Sequence, residues 1–150
     1  MLVDLNLLIN EIWGGLIEAH NLKLCSQCNE GESIALGPNY AILVWLDRDG
    51  LSFRYIDRSP QIGKDSIDLV SYLIEKRRWV LVGGALHSQD RHLVVRQGLI
   101  NCAKTLEEVA PDILSGKKEW LNDSSVVRLP LTPLQQEQLV QAFTACVVMQ

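Results

Sequence analysis

The clearest hydrophobic pattern in the chain lies in residues 40–57 and predicts a β-hairpin. Residues 40–46 are almost wholly apolar, and this short run is rich in β-branched and aromatic side chains, which favours a buried strand over a helix. Residues 51–57 alternate more cleanly, as expected for a strand with one buried face. Between them, the sequence Asp-Arg-Asp-Gly predicts a tight turn in which Gly50 adopts a positive φ.

Four further segments carry apolar residues at helical spacing and predict the helices that cover the hairpin. The first contains Gly14-Gly15, and two glycines inside a helix cost about 1 kcal/mol each relative to alanine, so a kink or an early end is expected there. In the last, Thr132 and Gln135 have the spacing of a capping box. The predicted helices cover residues 2–19, capped by Asp4; 65–78, capped by Asp65 or Ser66; 88–110, capped by Ser88; and 132–148.

Shorter patterns complete the predicted architecture. Residues 22–24 and 34–36 suit two short strands beside the hairpin, whereas residues 79–82 form either another strand or an extended run packed beneath the helices. Strands cluster early in the chain and helices late, which predicts an α+β fold. We expect a single domain over residues 1–150, in which a small, mainly antiparallel sheet is built on the 40–57 hairpin and covered by three to four helices.

The composition limits the function classes. Of the 150 residues, 47% are hydrophobic and 21% are charged, as in ordinary globular domains, and the formal net charge is −4. An acidic chain is a poor match for a nucleic-acid binder, because such binders neutralise phosphates with Lys and Arg. No stretch approaches 18 apolar residues, which argues against a membrane partner, and no secretory signal is visible. The sequence therefore predicts a cytoplasmic location and reduced cysteines.

The pair Cys25 and Cys28 is the sharpest chemical signal in the chain. A two-residue gap lets both sulfurs bind one tetrahedral zinc ion or form a redox disulfide. A structural zinc site needs four ligands, yet only His20 is close in sequence, and no second CxxC or closely spaced histidine pair is present. A thioredoxin-like site needs a strand before the motif and a helix after it, which the sequence does not predict. Three interpretations stay open: ordinary cysteines in a turn, a zinc site, or a redox-active pair.

Five basic residues lie near the predicted junction of two helices. Lys76, Arg77 and Arg78 end one predicted helix, and Arg91 and Arg96 lie early in the next. Together they are a candidate patch for an acidic protein partner, a phosphate or a nucleic acid. The alternative is that they compensate a helix dipole and are otherwise solvated. No aromatic residues alternate with them, so the nucleic-acid interpretation is not favoured.

Catalytic constellations are incomplete. His92 with Asp90 or Glu75 is a candidate acid–base pair, and His87 is near it in sequence. No serine lies in a nucleophile elbow, and no carboxylate pair has a recognisable motif around it. The sequence therefore favours a protein that is not an enzyme.

The four tryptophans are spread over four predicted elements, at Trp13, Trp45, Trp79 and Trp120. They either pack in one core, or one or two of them lie on an exposed apolar patch that binds a partner. The patch interpretation would give an otherwise featureless domain a binding surface.

The leading hypothesis is a small cytosolic, bacterial-type domain without a cofactor that binds another protein, either a different chain or a second copy of itself. One alternative is an immunity-type protein that neutralises a basic toxin, an analogy of type that rests on no motif. The others are a zinc- or thiol-dependent protein centred on Cys25 and Cys28, and an enzyme that uses His92 or His87.

Overall fold

A six-stranded antiparallel sheet forms the centre of the protein, and its strands are neighbours in the order in which they occur in the chain. The computed structural model describes residues 4–25, 31–48, 50–58, 65–83 and 90–148, with side chains as far as residue 144. The strands are β1 (Lys23–Leu24), β2 (Glu32–Leu36), β3 (Tyr40–Asp47), β4 (Gly50–Asp57), β5 (Asp65–Asp68) and β6 (Arg128–Pro130).

Helices precede the sheet, separate β5 from β6, and follow β6. This arrangement confirms the predicted α+β fold. The helices are α1 (Leu5–Ile12), α2 (Gly14–Ala19), α3 (Leu69–Lys76), α4 (Arg91–Val109), α5 (Pro111–Leu114) and α6 (Pro133–Val148), with a 3-10 helix at Glu119–Asn122.

The predicted hairpin is present as β3 and β4. Its register runs from Tyr40 opposite Asp57 to Asp47 opposite Gly50. Gly50 has a φ of 122°, a backbone conformation that residues other than glycine rarely adopt. We call the end of the sheet at this turn the tip end, and the opposite end, where Tyr40 pairs with Asp57, the far end.

Different helices cover the two faces of the sheet. On the first face, Ile42, Val44 and Phe53 belong to one large apolar core with residues from α1, α2, α3, α4 and α5. On the second face, a smaller core joins the sheet to α6. That smaller core consists of Ile34, Leu36, Ala41, Leu43, Ile56, Leu131, Leu139, Ala142 and Phe143.

The predicted N-terminal helix is divided at Trp13 into α1 and α2, immediately before the glycine pair, as expected. Asp4 caps α1 as predicted, because its carboxylate accepts a hydrogen bond from the Leu7 N–H at 3.0 Å. The Trp13 side chain is fully buried, and its Nε1 donates to the Leu99 carbonyl at 3.0 Å. This bond ties the break between the two helices to α4.

The helix predicted over residues 65–78 begins only at Leu69, with Asp68 as its N-cap. The preceding residues form β5, which pairs with β4 on one side and β6 on the other. The predicted caps Asp65 and Ser66 are therefore wrong, because pairing with two strands outweighs the local capping preference. The Ser66 hydroxyl is buried and donates to a carbonyl of β6 at 3.0 Å.

The longest helix, α4, begins at Arg91 and ends close to the predicted position. The Asp90 carboxylate caps it by accepting hydrogen bonds from the N–H groups of His92 and Leu93, at 3.0 and 3.4 Å. The predicted cap, Ser88, lies outside the described residues. The cap that is present is two residues closer to the helix, where its carboxylate reaches the first free N–H groups.

Residues 79–83, which we call the strap, lie along α4 without joining the sheet, and Val82 and Gly83 form a turn. The N–H groups of Val80 and Val82 donate to side chains of α4 at 2.9 and 3.0 Å. A third side chain of α4 donates to the Val82 carbonyl at 2.8 Å. These partners form a polar row spaced by four residues along one side of the helix. The row consists of Gln97, Asn101 and Thr105.

The start of α6 confirms the predicted capping box. The Thr132 N–H donates to the Gln135 side chain at 3.0 Å, and the Gln135 N–H donates to the Thr132 hydroxyl at 3.1 Å. Within the described ranges, no helix is both long enough and apolar enough to cross a membrane.

Candidate partner-binding surface

The second face of the sheet is covered unevenly. The core under α6 involves sheet residues from the middle and the far end, where the Arg58 guanidinium also lies 4.2 Å from the centre of the Phe143 ring. Toward the tip end, four side chains of the same face are partly exposed and belong to neither apolar core. We call these four residues the open face: Glu32, Trp45, Ser52 and Arg54.

Strand register brings the residues of the open face together. Glu32, Trp45 and Ser52 lie directly opposite one another on β2, β3 and β4, so they form one row across the sheet. Arg54 follows Ser52 by two residues, so it shares their face. Its guanidinium carbon lies 5.9 Å from the centre of the Trp45 ring, within the range of a cation–π contact.

The Arg54 side chain is fixed on one side and unpaired on the other. One of its Nη atoms donates to the Ser66 hydroxyl at 3.3 Å, and the guanidinium has no carboxylate partner among the described residues. Arg77 and Arg96, by contrast, each form an ion pair. The planar guanidinium of Arg54 therefore keeps N–H groups for a bidentate contact with a carboxylate.

Glu32 gives the open face a second, opposite charge. It lies on β2, two strands from Arg54, and burial raises its pKa above the ordinary value for a glutamate. The chemistry of the open face thus changes across the strands: it is cationic over β4, aromatic over β3 and acidic over β2. Such a surface can bind an apolar side chain at Trp45 and a carboxylate at Arg54.

The five residues of the predicted basic patch occupy two places. Arg77 donates to the Val109 carbonyl at 2.8 Å, next to the last turn of α4, whereas Arg91 is the first residue of that helix. A helix of 19 residues is about 28 Å long. Lys76, Arg77 and Arg78 therefore lie at the far end, whereas Arg91 and Arg96 lie toward the tip end, and the structure does not bring the five into one surface.

Most of these cations have partners. Lys76 is 4.0 Å from Asp123, and Arg96 is 3.0 Å from Glu11. Arg91 is exposed and donates to the Asp47 carbonyl at the β3–β4 turn. Arg78 is exposed as well. A partner-binding role for any of them stays a prediction.

Arg77 has the most complete set of contacts of the five. Its two Nη atoms each lie 2.9 Å from a carboxylate oxygen of Asp112, and its Nε donates to the Tyr72 hydroxyl at 3.2 Å. This hydrogen-bonded pair holds the pKa of Asp112 below its usual value. The contacts join α3 to the end of α4 and the start of α5, so they account for Arg77 without a partner.

The predicted metal or redox pair is only partly described. Cys25 is half-buried at the end of β1, where its N–H donates to the Ile34 carbonyl at 2.8 Å. Cys28 lies outside the described residues. His20 caps the end of α2 through its backbone N–H, which donates to the Leu16 carbonyl at 3.1 Å. Among the described residues, no group of three or more His, Cys, Asp or Glu side chains is placed to hold a metal ion.

A shallow groove of about 390 Å³ lies beside Cys25, between α1 and β1. Within it, the Asn6 amide donates to the Cys25 carbonyl at 3.1 Å and accepts a hydrogen bond from the Ser33 hydroxyl. These bonds fix α1 on the edge of the sheet. The groove contains no histidine; its lining residues are Asp4, Asn6, Leu7, Asn10, Leu24 and Cys25.

The candidate catalytic groups do not form a described site. His92 is exposed on the first turn of α4, and the Asp90 carboxylate is engaged with backbone N–H groups. His87 lies outside the described residues. Cys102 is fully buried, and burial raises the pKa of its thiol, which makes it a poor nucleophile.

A polar cluster at the far end is centred on the Lys118 ammonium. The Lys118 ammonium contacts the Asn39 carbonyl at 2.8 Å, the Tyr55 hydroxyl at 2.7 Å and the Asp57 carboxylate at 2.9 Å. The first two contacts are hydrogen bonds, and the third is an ion pair. Burial raises the pKa of Tyr55, so this phenol is not an available base. The cluster joins the loop after α5 to the sheet.

The four tryptophans were expected either to pack in a core or to lie on an exposed patch, and the structure shows both arrangements. Trp13 and Trp120 are buried in the large core, and Trp79 lies on the strap and packs against the same core. Trp45 is the one of the four, all of them described, that lies outside both cores. Sequence reasoning missed Arg54, Ser52 and Glu32, although the alternation in residues 51–57 places Ser52 and Arg54 on one face.

Comparisons with known proteins give no family and no relative for this fold or this surface. Neither a protein-family model, nor a curated protein, nor a solved structure matches the chain.

Proposed function

We propose that this protein binds a segment of another protein through the open face, and that the segment carries an acidic side chain next to an apolar one. The observation that carries the proposal is the pair of Trp45 and Arg54. Both side chains are partly exposed and lie outside the cores, and the guanidinium has no carboxylate partner among the described residues. Trp and Arg are the residue types that most often dominate the binding energy of protein interfaces.

The geometry of the pair favours binding because the side chains are already ordered. Arg54 is held by the Trp45 ring and by the Ser66 hydroxyl, so a partner would lose less rotamer entropy in contacting it. A carboxylate that meets the guanidinium would form charge-assisted hydrogen bonds, which are about twice as strong as neutral ones. The indole ring beside it supplies the apolar contact area.

The charge of Arg54 favours one position for the acidic side chain of the bound segment, on the β4 side of the open face. The setting that we propose is the cytoplasm, a compartment that keeps cysteines reduced.

Selection from a random peptide library displayed on phage tests this proposal without a known partner. The purified protein is the bait, and the double variant Trp45→Ala/Arg54→Gln is the counter-bait. We expect the enriched peptides to share an Asp or Glu next to an apolar residue. Their affinity, measured by isothermal titration calorimetry, should fall at least about tenfold in the double variant, which corresponds to about 1.4 kcal/mol.

Arg78→Gln is the matched control, because Arg78 is exposed at the far end and carries the same charge. We expect this variant to bind the selected peptides as the wild type does. Circular dichroism and thermal melting confirm that all variants are folded. Peptides that bind the double variant as tightly as the wild type, or that lose affinity only with Arg78→Gln, would exclude the open face as the binding surface.

A further inference from the structure

The second face of the sheet continues past the open face onto β6, where two more apolar side chains lie outside both cores. Leu129 is directly opposite the buried Ser66, and Val127 precedes it by two residues, so both lie on the face of Ser66. The Asp68 N–H donates to the Val127 carbonyl at 3.0 Å, which extends the register to this position. Leu129 is partly exposed, and 44% of Val127 is exposed. We call these two residues the β6 flank.

The strand register places Arg54 between two apolar groups. Arg54 on β4 is directly opposite Asp68 on β5, and its guanidinium reaches the Ser66 hydroxyl on the same strand. Trp45 lies one strand away, on β3, and the β6 flank lies two strands away on the other side. Neighbouring strands are about 4.8 Å apart, so the distance from β3 to β6 is roughly 14 Å. We call Trp45, Arg54 and the β6 flank the strip.

Asp68 lies beside the strip in the register, but its charge is already engaged. The Asp68 carboxylate accepts a hydrogen bond from the Ser71 N–H at 3.2 Å and caps α3. It forms no ion pair with Arg54, although the two residues are directly opposite. The positive end of the helix dipole offsets part of the Asp68 charge. The strip therefore presents a net positive charge at its centre, which favours an anionic group.

α6 shows how a neighbouring part of the same face is covered. It begins beyond Leu131, next to β6, and contacts β2, so it crosses the strands. On β3 and β4, Trp45 and Arg54 lie nearer the tip end than Leu43 and Ile56 of the smaller core. On β6 the β6 flank likewise lies nearer the tip end than Leu131. The strip thus crosses the same strands as α6, beside the core that α6 covers.

A segment that lies on this face must satisfy its own backbone. β3 is paired along both edges, and the backbone groups of a sheet point along the sheet rather than out of its face. An extended segment pressed against the strip would leave N–H and C=O groups without partners against apolar side chains. A helix bonds its own backbone and is about 10–12 Å across. Its width matches β4 from Gly50 to Arg54, which is about 13 Å long.

We propose that the partner segment is an amphipathic α-helix that lies across the strands beside α6, with acidic side chains between two apolar ones on its contact face. One apolar side chain packs on Trp45, the acidic side chains meet Arg54, and the other apolar side chain contacts the β6 flank. Positions i, i+4, i+7 and i+11 share one side of a helix and span about 16 Å, close to the length of the strip. This inference rests on the proposed function and specifies the form of the partner.

Two synthetic peptides of about 18 residues, long enough to form a helix, test the pattern. The first has Leu at i and i+11 and Glu at i+4 and i+7, with Ala and Gln elsewhere. The second has the same composition, but its two Glu residues are at i+2 and i+9, on the opposite side. We expect the first to shift the NMR resonances of the strip and to bind at least about tenfold more tightly than the second. Equal binding, or no shift at millimolar concentrations of the first peptide, would overturn the helical occupant.

A third peptide tests the helical form. Pro at i+6, on the side that faces away from the sheet, breaks the helix and leaves every contact residue unchanged. We expect it to bind at least about tenfold more weakly than the first peptide. Ser at i+6 is the matched control and should permit binding, and circular dichroism measures the helicity of each peptide. Equal binding by the Pro peptide would mean that the segment binds in an extended form, and would overturn the helix alone.

Variants of the protein distinguish this inference from the proposed function. Arg54→Gln should weaken the first peptide by at least about tenfold, and Val127→Ser by roughly threefold to tenfold through lost apolar contact. Val140→Ser is the matched control, because Val140 is 52% exposed on α6 and lies outside the strip; it should bind as the wild type does. Loss with Arg54→Gln but not with Val127→Ser would overturn the crossing helix and leave the open face intact.

Two further outcomes decide the identity of the occupant. Equal affinity of the wild type and Arg54→Gln for the first peptide and for the phage-selected peptides would overturn the proposed function itself. Sedimentation velocity of the free protein tests a second copy as the occupant. A monomer is expected, and a dimer that both Arg54→Gln and Val127→Ser convert to monomer would overturn the helix of a different partner.

Discussion

Single residues show where charge stabilises the fold and where it remains available. Arg77 and Arg54 are both half-buried arginines that contact an aromatic ring. Arg77 faces Asp112 in a bidentate ion pair, whereas Arg54 faces a serine and partly open solvent. The sequence around them does not distinguish the two, because the partner that decides the role is 35 residues away from Arg77.

The role of Arg77 is testable by substitution. Arg77→Met should lower the free energy of unfolding by roughly 1–3 kcal/mol, because it removes charge-assisted hydrogen bonds and leaves the Asp112 carboxylate unpaired. Urea denaturation measures the loss. Arg78→Met is the matched control: its side chain is exposed, so the change should stay within about 0.5 kcal/mol.

The loss should also depend on pH in a defined direction. The pair with Arg77 lowers the pKa of Asp112 in the folded protein, so the stabilisation is fully present above the unfolded value of about 3.9. It is lost as the pH falls below that value, through the lower folded pKa. The difference between wild type and Arg77→Met should therefore be constant above about pH 5 and shrink in acid; a difference of equal size at pH 3 would contradict the assignment.

At the scale of elements, α6 covers the second face of the sheet and thereby defines where the open face begins. It packs on the middle and far end through Leu139, Ala142 and Phe143, and leaves the row from Glu32 to Ser52 outside its core. Leu139 is fully buried, whereas its neighbour Val140 is 52% exposed. Substitutions of these two residues measure how much the packing of α6 contributes to the free energy of unfolding.

Leu139→Ala should lower the free energy of unfolding by about 2–4 kcal/mol, because it removes buried methyl groups and leaves a cavity against the sheet. Val140→Ala, the matched control on the exposed side, should change it by less than about 0.5 kcal/mol. Thermal and urea unfolding measure both variants. Similar losses in the two would mean that α6 does not pack in the observed orientation.

At the scale of the whole molecule, β3 lies at the centre of both cores. Ile42 and Val44 point into the large core, Ala41 and Leu43 into the smaller one, and both edges of the strand are paired. The strap and β6, by contrast, lie at the surface with exposed side chains. Stability against local opening should therefore fall from the centre of the sheet outward.

Hydrogen exchange over the whole chain checks this gradient. The amides of residues 41–44 should be among the last to exchange, because opening them requires both cores to separate, whereas those of the strap should exchange early. Val80 and Val82, whose N–H groups bond side chains of α4, should be the slowest within the strap. A sheet that exchanges before the strap would contradict the two-core architecture.

Local sequence patterns predicted the features that depend on interactions between residues close together in the chain. The hairpin, the cap at Asp4, the break before Gly14 and the capping box of Thr132 all depend on residues within a few positions of one another, and all four are confirmed. The strand at residues 65–68 could not be predicted in this way, because its pairing with β6 joins residues more than 60 positions apart. The strongest local signal there is the preference of Asp and Ser for a helix cap, and strand pairing outweighs it.

The sequence by itself determined the fold class and the presence of amphipathic helices that cover the hairpin, because hydrophobic periodicity shows which side of each helix or strand is buried. It also made the four tryptophans, Trp45 among them, candidates for partner binding. Only the tertiary structure decided that Arg54 lacks a carboxylate partner among the described residues, and that its half of the second face lies outside the smaller core. Both depend on where distant segments pack against the sheet.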